Sequence, residues 1–219
     1  MMTNLKLLLE HLLSEDIDEA AVAVAQARSE QLALAVFKRD FLRLVLYKPA
    51  EIVKQIEEIE ETHGNSTKDD AIASIEFPTH IVGQMTIGSH NRGTSEVLGS
   101  AAEQGYGPML YDIGLSIIYP NFLISDRRSV SDSAKKVWDY YHSKRPDVNV
   151  VFMSGAWADS SNSTDYKYQI KKPKSFVSLS NNHLKFVSTV EKKYGLKKSK
   201  IESSLSAAAD YYFRDSFSR

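Results

Sequence analysis

The sequence predicts an α/β protein, and three observations carry that expectation. Short apolar runs such as residues 32–37 (LALAVF) and 42–47 (LRLVLY) have the length and composition of strands. Between such runs lie amphipathic segments of helical spacing, as at Ile52, Ile56 and Ile59. Between Glu96 and Ile118 an apolar run passes through a glycine turn directly into a helix. With 219 residues, 42% apolar and 25% charged, the chain is long enough for one well-buried core with appendages at either end.

Taken in order, residues 3–14 place Leu5, Leu8, Leu9, Leu12 and Leu13 on one helical face. Asp16 to Arg28 follows as an alanine- and valine-rich helix. Residues 32–37 and 42–47 flank Lys38-Arg39-Asp40-Phe41 and predict a β-hairpin; one helix over 29–47 is the competing reading. Pro49 opens a helix to about Thr62, with Glu57, Glu58, Glu60 and Glu61 turned to solvent. Strands are expected over Ile72–Phe77 and His80–Ile87, and a turn at His90–Gly93 leads into the strand of 94–100.

That strand ends in Gln104-Gly105-Tyr106-Gly107, after which Pro108 suits the first turn of a helix. Leu110, Ile113 and Ile117 form the helix's apolar stripe. A small-residue turn at a helix N-terminus leaves backbone N–H groups facing outward, which suits a phosphate or pyrophosphate. Further on come an extended run at Asn121–Ser125, a helix from about Val130 to His142, and an apolar strand at Val148–Met153. Residues 155–164 predict a loop, 165–180 a basic irregular stretch, and 182–194 and 199–213 two helices joined at Gly195. The domain reading is a helical segment at 1–30, a central domain at 31–155, and a loop with a helical extension at 156–219.

The series strand, glycine turn, helix, strand, helix, with SDSAKKVWDYY (131–141) in the last helix, resembles the GNAT superfamily of acyl-CoA N-acyltransferases. Over residues 30–155 the chain is most similar to small, divergent GNAT-like proteins of tailed phages, which carry stretches like GYGPMLYD (105–112) and DRRSVS (126–131). The resemblance implies a mixed, mostly antiparallel sheet flanked by helices, with acetyl-CoA or another acyl-CoA as co-substrate and an amine or hydroxyl acceptor. By the same resemblance Gln104, Gly105, Tyr106 and Gly107 hold the pyrophosphate. Val97 and Leu98 bracket the pantetheine arm, on a strand that splays from its neighbour. The cleft is expected between strands 94–100 and 148–154, with Trp138 in its wall. Two motif positions depart from the family: Ala102 stands where Arg or Gln is usual, and Trp138 where the usual catalytic Tyr stands. Ser131 falls at the motif's Asn.

Tyr141, three residues past Trp138, is the nearest phenol that would replace the missing general acid; the other reading makes it a rim residue. Glu96 and Asp126 are the carboxylates available as general base. Arg127 and Arg128 sit where a strand gives way to a helix, and either grip an acidic group or form structural ion pairs. Ser129 with Asp132 has the spacing of a capping box. Lys167, Lys171, Lys172 and Lys174, interleaved with Tyr166, Tyr168 and Phe176, form a basic–aromatic patch that suits nucleic acid or simply a solvated surface.

Composition narrows the classes. Net charge is −1, so no global field draws the chain to nucleic acid or to a membrane. Without cysteine there is no disulfide, thiolate metal site or cysteine nucleophile, and the six histidines show no metal-binding spacing. No apolar run reaches the length of a membrane span. The expected setting is cytoplasmic, the host cytoplasm for a phage-encoded protein. The rival to an enzyme acting on a small-molecule or protein amine is a catalytically silent binding protein that joins a virion or a second copy of itself.

Overall fold

The computed structural model describes residues 31–63, 77–155 and 158–216. Both helices expected before residue 30, and most of the strand expected over 72–77, lie outside the described residues. Phe77 itself falls in a short 3-10 turn, Phe77–His80, rather than in a strand.

Among the described residues seven strands form one sheet: β1 (Ala33–Lys38), β2 (Leu42–Tyr47), β3 (Ile81–Asn91), β4 (Thr94–Ala102), β5 (Phe122–Ile124), β6 (Val148–Phe152) and β7 (Tyr166–Ile170). Their order across the sheet is β1-β2-β3-β4-β5-β7-β6. Every neighbouring pair is antiparallel except β4 and β5. The class is therefore mixed α/β with a mostly antiparallel open sheet, as expected. The hairpin reading of 32–47 holds, with Val36 opposite Leu44 in the ladder.

Among the described residues five helices cover the two faces: α1 (Pro49–His63), α2 (Gly107–Ile118), α3 (Asp132–Lys144), α4 (Val177–Tyr194) and α5 (Lys198–Ser216). Alternation along the strands divides the apolar side chains between two cores. On one face Leu44, Met85, Ile87 and Val97 pack with Leu110 and Ile113 of α2 and with Trp138 and Tyr141 of α3. The opposite face packs Val45, Tyr47 and Ile81 with Ile52 and Ile56 of α1, Phe186 and Val190 of α4, and Leu205 of α5. Glu57, Glu58, Glu60 and Glu61 of α1 are exposed, as the spacing predicts.

Two expectations are corrected. Residues 166–170 are not irregular: Tyr166-Lys167-Tyr168-Gln169-Ile170 is strand β7, seated between β5 and β6. Its inward residues are Tyr168 and Ile170, both buried, and the alternation is masked in sequence by the polar Lys167 and Gln169. The capping serine of α3 is Ser131, whose Oγ accepts from Ala134 N–H at 3.3 Å, and not Ser129. The helix starts two residues later than expected, because Asp126 Oδ1 accepts from the amides of Arg128 and Ser129 and holds those residues in a turn. Gly195 does end α4, in a left-handed conformation with φ 69° and its N–H on Glu191 O.

Candidate functional site

The site begins where β4 leaves β5. Their parallel ladder pairs Thr94 with Phe122, Ser95 with Leu123 and Glu96 with Ile124, and ends there. β4 runs on to Ala102, so its second half has no strand on that side. The neighbour of β4 is thus β5, while strand 148–152 lies at the far edge of the sheet. The cleft expected between 94–100 and 148–154 is corrected accordingly, since β7 fills the place that seemed open to the edge strand.

A bulge sits at the point of parting. On the β3 side Ile87 pairs with Val97 and the next residue back, Thr86, pairs with Gly99, leaving Leu98 as the extra residue. Bulges bend the strand that carries them and sharpen its twist, and this one falls just past the last β4–β5 pair. Beyond it Ser100 faces α2, and its hydroxyl lies 3.0 Å from that of Tyr111. Gly99 faces the opposite layer, where the ring of Phe213 from α5 comes so close that a β-carbon at position 99 would sit 2.5 Å from Cζ.

At the end of β4 the chain makes the predicted turn. Tyr106 N–H donates to Glu103 O at 3.0 Å, Gly105 adopts φ 88°, and α2 starts at Gly107 with Pro108 in its first turn. The positive φ at 105 is one that a side chain resists. Among the described residues no backbone carbonyl accepts from the amides of Gln104, Gly105 or Gly107, and no side chain caps the helix. These amides border a groove of about 450 Å³ lined by Ser100 to Gly105, Gly107, Pro108, Leu110 and Tyr111 on one side. The other wall is α3, through Ser133, Ala134, Lys136, Val137 and Tyr140. Of the predicted turn residues, Gln104, Gly105 and Gly107 line the groove, whereas Tyr106 turns inward and is buried.

A second cavity of about 290 Å³ continues along β4 into the gap. Val97, Leu98, Trp138 and Asp126, four of the expected cleft residues, line it together with Gly99, Val130 and Phe213. The two cavities share Ser100, Tyr111 and Ala134. They meet at the hydroxyl pair, where burial pushes the Tyr111 phenol up to about 12 and Ser100 partly offsets that shift. Sequence reasoning passed over both residues. Tyr111 belongs to the apolar face of α2 and reads as core packing, which its ring also does, lying edge-on to Trp138 at 4.9 Å.

Other expected site residues lie elsewhere. Tyr141 is fully buried away from both cavities, where its hydroxyl donates to Asp112 Oδ1 and lies 3.0 Å from Pro108 O. Burial and the neighbouring Asp112 hold its phenol well above the usual range. Tyr141 therefore does not stand at the mouth of the cleft, because the aromatic side of α3 faces the core. Glu96 lines neither cavity; its carboxylate accepts from Arg127 N–H at 2.8 Å and meets His90 Nδ1 at 3.0 Å, fastening the 126–128 loop to β4. Arg127 reaches Thr164 O and Asp165, which gives it a structural role. Arg128 is exposed outside both cavities. In the basic–aromatic patch Lys174 is held by Asp112 at 2.6 Å and Tyr168 is buried, while Lys167 lies over the Phe122 ring.

Among the described residues no cluster of histidines and carboxylates is placed to hold a metal ion, and no helix is long and apolar enough to cross a membrane. Compared with known proteins, the chain matches no family model, no curated protein and no solved structure, so the site speaks only through its own geometry.

Proposed function

We propose that the protein is a GNAT-like acyltransferase that moves an acyl group from acyl-CoA to an amine or hydroxyl acceptor. One observation carries this reading: a strand that parts from its parallel neighbour leads straight into a glycine turn at a helix N-terminus, with a groove running past both. The resemblance found in the sequence calls for that combination. The amides of Gln104, Gly105 and Gly107, with Lys136 across the groove, favour the pyrophosphate. The free edge of β4 pairs with the pantetheine arm as a neighbouring strand would, and the thiolester reaches the point where the cavities meet.

There the acceptor nitrogen or oxygen attacks the thiolester carbonyl. A β4 amide at the bulge, beside Leu98, meets the developing oxyanion. As the tetrahedral intermediate collapses, the C–S bond breaks and the thiolate leaves with the electron pair. The Tyr111 phenol is the donor nearest to it and is fully protonated at neutral pH. Ser100 stabilises the phenolate until it recovers a proton from the acceptor's own N–H or O–H through solvent. Holding both reactants in one groove supplies much of the acceleration.

A catalytically silent GNAT-like binding protein is the second reading, and Trp138 favours it, since an indole in place of the motif's phenol donates no proton to a thiolate. Calorimetric titration with acetyl-CoA tests the common part, with Gly107→Glu as the variant. A β-carbon at 107 already lies 3.3 Å from Val137 Cγ2, and a carboxylate there meets the pyrophosphate head-on. Binding by the native chain that is lost in Gly107→Glu supports the site; equal heats for both chains sink it. Turnover with an amine then separates enzyme from binding protein.

A further inference from the structure

The two cavities differ in electrical character, and the difference names a substrate. The larger groove has one charged side chain of each sign, Glu103 and Lys136, and adds the outward amides of a helix N-terminus, so it favours an anion. Among the described residues the smaller cavity has a single charged residue in its lining, Asp126. The arginines that follow it contribute nothing there: Arg127 is turned to Thr164 and Asp165, and Arg128 lies outside. Asp126 Oδ1 accepts from the amides of Arg128 and Ser129, which fixes the carboxylate at the cavity's rim without neutralising it.

The remaining walls are of two kinds. Ser100, Ser129, Ser131 and the Tyr111 hydroxyl add hydrogen-bonding groups, while Val97, Val130, Trp138 and Phe213 give an apolar body. Phe213 enters from the opposite layer of the protein and closes the gap between β4 and the 126–131 loop against the backbone of Gly99. A volume of about 290 Å³ lies at the lower edge of small-molecule pockets, so a protein segment or a large metabolite does not fit inside it.

We infer that this cavity is the acceptor pocket, and that it selects a small primary amine carried on an apolar stem. The ammonium sits toward Asp126 and the stem lies between Trp138 and Phe213. This deepens the acyl-transfer reading and rests on it for the identity of the neighbouring groove, but the selectivity follows from the pocket itself. A carboxylate facing a partly desolvated cation discriminates against neutral and anionic analogues of the same shape. Once the ammonium has given a proton to solvent, the amine nitrogen lies beside the shared Ser100–Tyr111 pair, where the thiolester arrives.

The test is calorimetric, on the full chain, with three probes of one shape: 2-phenylethylamine, 2-phenylethanol and 3-phenylpropionate. The expected order places the amine at least tenfold above the alcohol, with the propionate weakest. Asp126→Asn keeps an oxygen for the two turn amides and is expected to bring amine and alcohol to the same affinity. Phe213→Ala is expected to weaken amine and alcohol alike, by removing the apolar wall without touching the charge. No amine binding, equal binding of amine and alcohol by the native chain, or an amine preference that survives in Asp126→Asn would each overturn the assignment. A parallel titration with CoA keeps the two ideas apart. Amine selectivity without CoA binding leaves the pocket standing and removes acyl transfer, whereas CoA binding without amine selectivity does the reverse.

Discussion

Tyr111 and Ser100 share a 3.0 Å hydrogen bond between hydroxyls at the one place common to both cavities, with the Tyr111 ring fixed edge-on against Trp138. Replacing the phenol while keeping the ring tests what that pair is for. Tyr111→Phe is expected to lower kcat for thiolester cleavage by about 10²- to 10⁴-fold, the range of a lost general acid, with KM for acyl-CoA nearly unchanged. Ser100→Ala, which only supports the phenolate, is expected to lose less. Release of free thiol followed in a continuous assay reads both, and a Tyr111→Phe enzyme with native kcat would assign the tyrosine to packing alone.

Asp112 holds together a buried network. One carboxylate oxygen takes Tyr141 and Arg145, the latter at 2.8 Å, and the other takes Lys174 at 2.6 Å. Asp112→Ala removes the carboxylate that these three groups share, while Arg145 keeps Asp147 and Tyr141 keeps Pro108 O, so the expected cost is about 1–3 kcal/mol. Urea denaturation is expected to show this as a lower midpoint with an unchanged slope. A loss below about 1 kcal/mol would mean that the network is solvated in the native protein.

Gly99 and Phe213 are expected to be coupled. With Cζ of the ring 2.5 Å from where a β-carbon would lie, Gly99→Ala displaces the ring or the strand at a cost of about 1–3 kcal/mol. In a Phe213→Ala background the same change is expected to be nearly neutral. A double-mutant cycle measures the difference, and strictly additive effects would show that the ring and the strand move independently.

Stability is expected to fall in alkali. Burial pushes Tyr111 up to about 12, and burial with the nearby Glu103 does the same for Tyr212, whereas an unfolded tyrosine titrates near 10. The folded chain holds these protons more tightly, so their contribution is complete below about pH 10 and is lost as pH rises toward 12. For the fully buried Tyr111 this amounts to about 1.4 kcal/mol for each pH unit crossed, and to less for the more exposed Tyr212. Urea midpoints at pH 8, 10 and 11.5 give the slope, and Tyr111→Phe is expected to flatten it.

The sheet was legible wherever a short apolar run has the length and composition of a strand, as in β1 and β2, and the glycine turn was legible because Gly105, Gly107 and Pro108 each have a local backbone reason for their place. β7 escaped because its outward positions are Lys167 and Gln169 and its inward Tyr168 reads as half of a basic–aromatic patch. Missing that strand then misplaced the cleft, for strand order is a property of long-range pairing that no local pattern states. Tyr141 was chosen as the phenol nearest to Trp138 at the motif position, but the side of α3 that it occupies faces the core, and it is drawn there by Asp112 and Arg145. Tyr111 was hidden for the opposite reason: on an apolar stripe a phenol looks like any other ring, and only the bulge in β4 brings Ser100 round to meet it.

The bulge at Leu98 also divides β4 into two reading frames. In an unbroken strand, residues three apart look to opposite faces; Val97 and Ser100 nevertheless look to the same one. The frame that ends at Val97 is written for the core, and the frame that restarts at Gly99 is written for the groove. What separates them is a count of residues rather than the chemistry of any side chain. A substitution at position 98 keeps both frames, whereas deleting Leu98 merges them into one regular ladder. That deletion pairs Ile87 and Thr86 with consecutive residues, straightens the strand toward β5 and draws the gap shut. A chain one residue shorter thus keeps every other named side chain of the site and loses the space between them.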